Sequence, residues 1–201
     1  MAGTAPEVFR IITLSSGLSR GSNLLAMHQW FLSHQVPVEI GKAVFTRSDA
    51  PAVDMCRSEN IPFEIISTRD MNAFESRLLI LIRDHDIALV ALCGFLKLLS
   101  ASFLNHVRVP VLNIHPALLP AYGGKSMYGM AVHEAVFKAG EKLSGATVHM
   151  VDAQYDHGTV VAQQMVDITA CTSAAEVAAC VLKVEHQLYP RSVWEVLNAR
   201  R

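Results

Sequence analysis

The chain has 201 residues, 51% of them hydrophobic and 17% charged, which is enough apolar matter for one well-filled core and excludes a disordered chain. Lys and Arg number 17 against 18 Asp and Glu, for a net charge of −1. That balance excludes the basic field that holds nucleic acid by its backbone, so an anionic ligand must be held by a local device.

Val8–Leu14 is apolar and partly β-branched and reads as a buried strand, followed by the small, polar loop Ser15–Gly21. From Ser22, Leu24, Leu25, His28, Phe31 and Leu32 have helical spacing. The alternation continues with a strand at Val38–Phe45, a short helix over Pro51–Glu59 and a strand at Phe63–Ile66. Phe74, Leu78, Leu81 and Ile82 stripe a helix from Met71 to His85, before strands at Ile87–Leu92 and Val111–Ile114. Pro116–Tyr128 is rich in proline and glycine and reads as a long loop, a kind of segment that is often functional. A helix over Met130–Ala139 follows. Ala146–Val151 and Val160–Ile168 read as strands; eight residues separate them, too few for a helical crossover, so they pair antiparallel. Ser173 and Glu176 form a capping box for a last helix, which Pro190 kinks or restarts. The expectation is one α/β domain over 1–201, parallel at its N-terminal end and mixed at its C-terminal end, with ligands at the carboxyl ends of the strands.

Cys56, Cys93, Cys171 and Cys180 form no CxxC pair, which argues against structural zinc and a disulfide framework and points to a reducing cytoplasm. Met1–Glu7 lacks the apolar core of a signal segment, and the longest apolar run, Ile87–Leu96, is about half of a bilayer span. No membrane partner is expected. The nine histidines form no metal constellation, and His133-Glu134 lacks the second histidine of a zincin helix.

Three segments can carry chemistry. Ser16–Asn23 joins backbone N–H groups at a helix start to Ser22, Asn23 and Arg20, a plausible phosphate cradle that is neither a Walker loop nor GxGxxG; it also reads as a capped turn with no ligand. Asn113 and His115 share one face of a strand end, where an amide and an imidazole can stabilise an oxyanion and move a proton; a histidine satisfied by backbone before Pro116 is the bland alternative. Asp156, in the loop Asp152–Gly158, holds a turn or, beside His115, raises the imidazole's pKa. His149, in mid-strand, reads as a satisfied core residue. Gly94–Leu99 reads as core or as an apolar slot for a flat heterocycle.

Taken together these segments resemble the folate-dependent formyltransferases, and within them the phosphoribosylglycinamide branch, over about Phe9–Leu197. The resemblance rests on Leu112-Asn113-Ile114-His115-Pro116-Ala117-Leu118-Leu119-Pro120 together with Gly21-Ser22-Asn23, Gly94–Ser100, Val148–Asp152, Asp156-His157-Gly158 and Glu185–Pro190. It implies a Rossmann-like domain with a mixed, mostly parallel seven-stranded sheet flanked by helices. It implies 10-formyltetrahydrofolate as co-substrate, the amine of glycinamide ribonucleotide as acceptor, and no metal. It matches Asn113, His115 and Asp156 to the catalytic set, and Gly21, Ser22, Asn23 and Glu185 to the ribonucleotide site. Leu96, Lys97, Leu98, Leu99, Asn113, Asp152 and Asp156 match the folate site. The N-terminal half would hold the ribonucleotide phosphate and the C-terminal half the folate and the catalytic groups, in a monomer or homodimer.

Three departures stand out. The first loop is longer by Ser19 and Arg20; Ala131 stands where many members carry a histidine; and Met71 replaces a folate-site arginine, with Arg69 the nearest candidate. The implied mechanism has Asn113 and a protonated His115 holding the oxyanion while Asp156 assists proton transfer. A sugar-nucleotide amine as acceptor, or a non-catalytic folate- or nucleotide-binding module, are the rival readings. The related transfer-RNA formyltransferases and the deformylases normally carry an added domain, which this length disfavours.

Overall fold

The computed structural model describes residues 8–18 and 20–200; Met1–Glu7, the extra loop residue Ser19 and Arg201 lie outside the described residues. Seven strands form one sheet in the order β3-β2-β1-β4-β5-β6-β7. The first five are β1 (Phe9–Ser15), β2 (Val38–Phe45), β3 (Phe63–Ile65), β4 (Ile87–Leu92) and β5 (Val111–His115), all parallel to their neighbours. The last two, β6 (Leu143–Met150) and β7 (Val160–Asp167), run antiparallel, β6 against both β5 and β7. The fold is therefore the mixed, mostly parallel α/β class that the sequence implies.

Six helices cover the sheet: α1 (Ser22–Ser33), α2 (Ala52–Ser58), α3 (Met71–Asp84), α4 (Ala101–His106), α5 (Met130–Lys138) and α6 (Ala174–Asn198). Two cores result. On one face Leu89 and Ala91 pack with Leu24, Phe31, Val181 and Leu188; on the other Val90 and Leu92 pack with Phe74, Leu78 and Phe103. This two-sided burial is why β4 is apolar throughout. Each fully buried large aliphatic contributes roughly 1.5–3 kcal/mol.

Two elements differ from the sequence reading. Helix α4 falls in the stretch between β4 and β5 to which the sequence reading gave no helix; Ser100 caps it by accepting from the Phe103 N–H, and the buried Glu75 of α3 accepts from both the N–H and the hydroxyl of Ser100. Strand β6 begins three residues early, at Leu143, through Gly145, where a Cβ would stand 2.1 Å from the Gln164 carbonyl oxygen. The Ser173 cap holds, accepting from the Glu176 N–H, and α6 runs on through Pro190 without restarting. Cys171 and Cys180, nine residues apart, are free thiols with their sulfurs 3.8 Å apart. Among the described residues no helix is long and apolar enough to cross a membrane.

Strand order reverses between β1 and β4, because β2 and β3 lie to one side and β5 to the other. The loops leaving β1 and β4 diverge at that point, which opens a crevice at their carboxyl ends.

Candidate active site

One cavity of about 610 Å³ fills this crevice. Its first wall is the start of α1. Gly21 caps the helix at φ +77°, a left-handed backbone that suits glycine, and a Cβ there would lie 2.6 Å from the Ala52 Cβ. Among the described residues no side chain caps α1, so its first N–H groups are open beside the cavity. Asn23 donates from Nδ2 to Glu185 Oε2 at 2.8 Å, while its own Oδ1 is buried with no partner among the described residues. Burial pushes the Glu185 carboxyl up to about 7, against the downward pull of the Asn23 hydrogen bond.

The opposite wall is the exit from β4. Ser16 ties it to the first loop: its N–H donates to the Gly94 carbonyl at 3.0 Å, and its Oγ accepts from the Leu96 N–H at 2.7 Å. Leu92, Phe95 and Leu99 are buried along this wall, while the Lys97 and Leu98 side chains lie in the open. Lys97 and Lys125 are the basic side chains of the lining.

Between the walls stand Asn113, His115, His149 and Asp156. Strand alternation puts Asn113 and His115 on one face of β5, and the antiparallel ladder sets Asn113 directly opposite His149 on β6. His115 Nε2 lies 2.8 Å from the Tyr122 carbonyl oxygen, which requires a proton on that nitrogen. Its Nδ1 faces Asp156 Oδ2 at 3.4 Å, and Asp156 Oδ1 lies 3.6 Å from His149 Nε2. Asn113 Nδ2 is 3.0 Å from that same His149 nitrogen. Asp156 also accepts from the Gly124 N–H at 2.9 Å, and holds a left-handed backbone at φ +53°, uncommon for a residue with a Cβ. The loop before Gly124 is anchored from below. Thr147 Oγ1 accepts from the Leu119 N–H and donates to the Ala117 carbonyl.

Electrostatics set the resting charges. Burial lowers the His115 pKa by more than the Asp156 charge and the Tyr122 carbonyl raise it, so the ring rests neutral; the sequence reading expected Asp156 to raise it. Burial pushes Asp156 up, but the neighbouring His149 and His115 and the Gly124 N–H together outweigh it and hold the carboxyl below its usual range. The site at rest is an ionised Asp156 beside a neutral imidazole.

All the candidate site residues of the sequence reading line this one cavity: Gly21, Ser22, Asn23, Leu96, Lys97, Leu98, Leu99, Asn113, His115, Asp152, Asp156 and Glu185. Arg20 and Arg69 are exposed and do not line it. His133 and His149 line it too, and the sequence reading set both aside. Ala131 is exposed, whereas His133, two residues on along α5, is buried; its Nδ1 has no partner among the described residues, and burial, with the neighbouring His115, lowers its pKa. The signal for His149 lay in register: a β5–β6 antiparallel pairing sets it across from Asn113.

The formyl transferase family model matches residues 9–193. The chain is 36% identical over 183 residues to "Phosphoribosylglycinamide formyltransferase, chloroplastic" of Vigna unguiculata, covering 90% of this chain and 59% of that protein. It is 30% identical to the "Phosphoribosylglycinamide formyltransferase" of Bacillus subtilis (strain 168), covering 89% of this chain and 90% of that one. The chain spans about three fifths of the length of the plant relatives it matches, 59% and 63%. The crystal structure of glycinamide ribonucleotide transformylase 1 from Symbiobacterium toebii superposes with a TM-score of 0.86 at 25% identity, covering 100% of this chain and 94% of that one. With the family model spanning nearly every strand and helix described above, the chain belongs to the formyl transferase family.

Proposed function

We propose that this chain transfers a formyl group to the amine of glycinamide ribonucleotide, the acceptor for which its relatives are named, with 10-formyltetrahydrofolate as the donor. The observation that carries the reading is the placement of Asn113, His115 and Asp156 between two unlike walls of one cavity. The wall at α1 suits an acceptor with phosphate and sugar. Open N–H groups at Ser22 and Asn23 suit the phosphate. Asn23 Oδ1 and Glu185 suit sugar hydroxyls. The wall at Leu92–Leu99 suits a flat heterocycle, with Asp152 and backbone groups at its edge and Lys97 and Lys125 near an anionic tail. Each wall draws on both halves of the chain.

The folate supplies an activated formyl group on nitrogen. The chain's residues then move charge and protons. The acceptor amine attacks the formyl carbon as the neutral base, and the former carbonyl oxygen becomes anionic. Asn113 Nδ2 donates to it. The amine's proton passes to His115 Nδ1, which is bare because Nε2 carries the ring's one proton toward Tyr122. The imidazolium so formed has an acceptor on each nitrogen, the Tyr122 carbonyl and Asp156. Collapse breaks the bond from the formyl carbon to the folate nitrogen, and that nitrogen takes the proton back from His115. One N–H bond and one C–N bond break, and one of each forms, so the exchange balances.

The test is a formyl-transfer assay on the purified protein. His115→Ala and Asp156→Asn each lower kcat by about 10²–10³ with cooperative unfolding retained. Near-normal turnover in both variants rejects these roles. Tight folate binding with no turnover by the unaltered chain favours a binding module, and transfer to a sugar-nucleotide amine in place of glycinamide ribonucleotide favours the other acceptor.

A further inference from the structure

We propose that His149 is a positioning residue: its tautomer fixes the amide of Asn113 so that an N–H, and not the carbonyl oxygen, meets the developing oxyanion. The inference rests on the formyl-transfer reading above and goes beyond it in assigning a role to a histidine that makes no contact with the reacting atoms.

The argument starts at the far side of the ring. His149 Nδ1 lies 2.9 Å from the Met150 carbonyl oxygen, and a ring nitrogen at that distance from a carbonyl carries its proton. In the neutral ring Nε2 is then bare, and it can only accept. Its nearest partner is the Asn113 amide at 3.0 Å, with Asp156 Oδ1 farther off at 3.6 Å. Asn113 must therefore turn its NH₂ toward His149. An amide NH₂ has two hydrogens, so one goes to the ring and the other is left for a ligand in the cavity that Asn113 lines.

The alternative amide rotamer would present Oδ1 to the cavity. A lone pair aimed at a nascent anion raises the barrier that the NH₂ lowers, so the catalytic value of Asn113 depends on which way it faces. His149 is buried, 2% exposed, and sits directly across the β5–β6 ladder from Asn113. The orientation is thus set by the sheet itself before any substrate arrives.

The experiment has two readouts. The first is long-range ¹H–¹⁵N NMR of the unaltered protein, which reports the protonation of each ring nitrogen independently of activity. The expected spectrum shows His149 with Nδ1 protonated and Nε2 bare; a ring with Nε2 protonated in the resting protein overturns the proposal. The second is a double-mutant cycle on kcat. Asn113→Ala and His149→Leu each lose about 10²-fold. If His149 acts through Asn113, the double variant is no slower than Asn113→Ala alone. Losses that multiply toward about 10⁴-fold show an independent role and also overturn it. His149→Gln, which offers an oxygen acceptor near the place of Nε2, recovers much of the turnover lost in His149→Leu. Should His149→Leu fail to fold, the NMR result decides. Should the unaltered protein transfer no formyl group, the function proposed above fails while the tautomer is still read from the spectrum.

Discussion

Glu185 shows how the fold loads a single side chain. Its carboxyl is buried, 7% exposed, beside Cys93 with the Asn23 amide as its hydrogen-bond partner, and burial carries its pKa from 4.5 to about 7. Between those values the folded chain holds a proton that the unfolded chain has released, so stability falls as pH rises through the window. Below 4.5 the contribution is fully present; above about 7 it is lost. Glu185→Gln removes the ionisable group but keeps an oxygen for Asn23. The expected result is a flatter Tm profile across that window and a higher Tm at pH 8, at about 2–4 °C per kcal/mol gained. The same variant raises KM for the acceptor. A Tm profile that keeps the fall of the unaltered protein contradicts this reading. His115 teaches a related lesson about legibility. The sequence could suggest that a carboxylate meets it, but the sign of its pKa shift depends on how deeply the ring is buried, which no local spacing states. His149 was hidden for a different reason: its partner lies 36 residues away and is found only through strand register.

At the scale of elements, local rules carried most of the reading. Strands β2 and β4 fall on the residues expected, and α6 starts at the expected Ser173 cap. What escaped was set at a distance. Helix α4 has only six residues and is held at its start by Glu75 from α3, so its own sequence says little. Gly145 reads as a breaker, yet it serves close approach to β7. The start of α1 offers a direct prediction. Gly21→Ala places a Cβ against Ala52 and strains a left-handed backbone by about 1–3 kcal/mol. The first turn of α1 must then shift, so KM for the acceptor rises while folate affinity changes little. Equal losses at both substrates would show that the first loop serves the cavity as a whole rather than its acceptor wall.

Across the whole molecule, the site exists because the sheet changes direction between β1 and β4 and a single long helix closes the space below. Tyr189 of α6 joins the two: its buried hydroxyl lies 3.0 Å from both the Leu92 and the Leu112 carbonyl oxygens, at the point where β4 and β5 reach the cavity wall. Tyr189→Phe keeps the ring and deletes that tie. It should cost about 1–2 kcal/mol in unfolding free energy and lower kcat more than it changes either KM, because it loosens β5 and not the walls. Denaturant melts of the two proteins check the first part, and steady-state kinetics the second. The central claim is that two substrates meet over His115 and Asp156 in one cavity. A crystal structure of the protein with glycinamide ribonucleotide and an unreactive folate analogue tests it most directly. The account predicts the phosphate on the first turn of α1, and the amine between His115 and the formyl position at about 3–3.5 Å. An amine that lies outside the reach of His115 and Asn113, or a folate ring seated away from Leu92–Leu99, would contradict it.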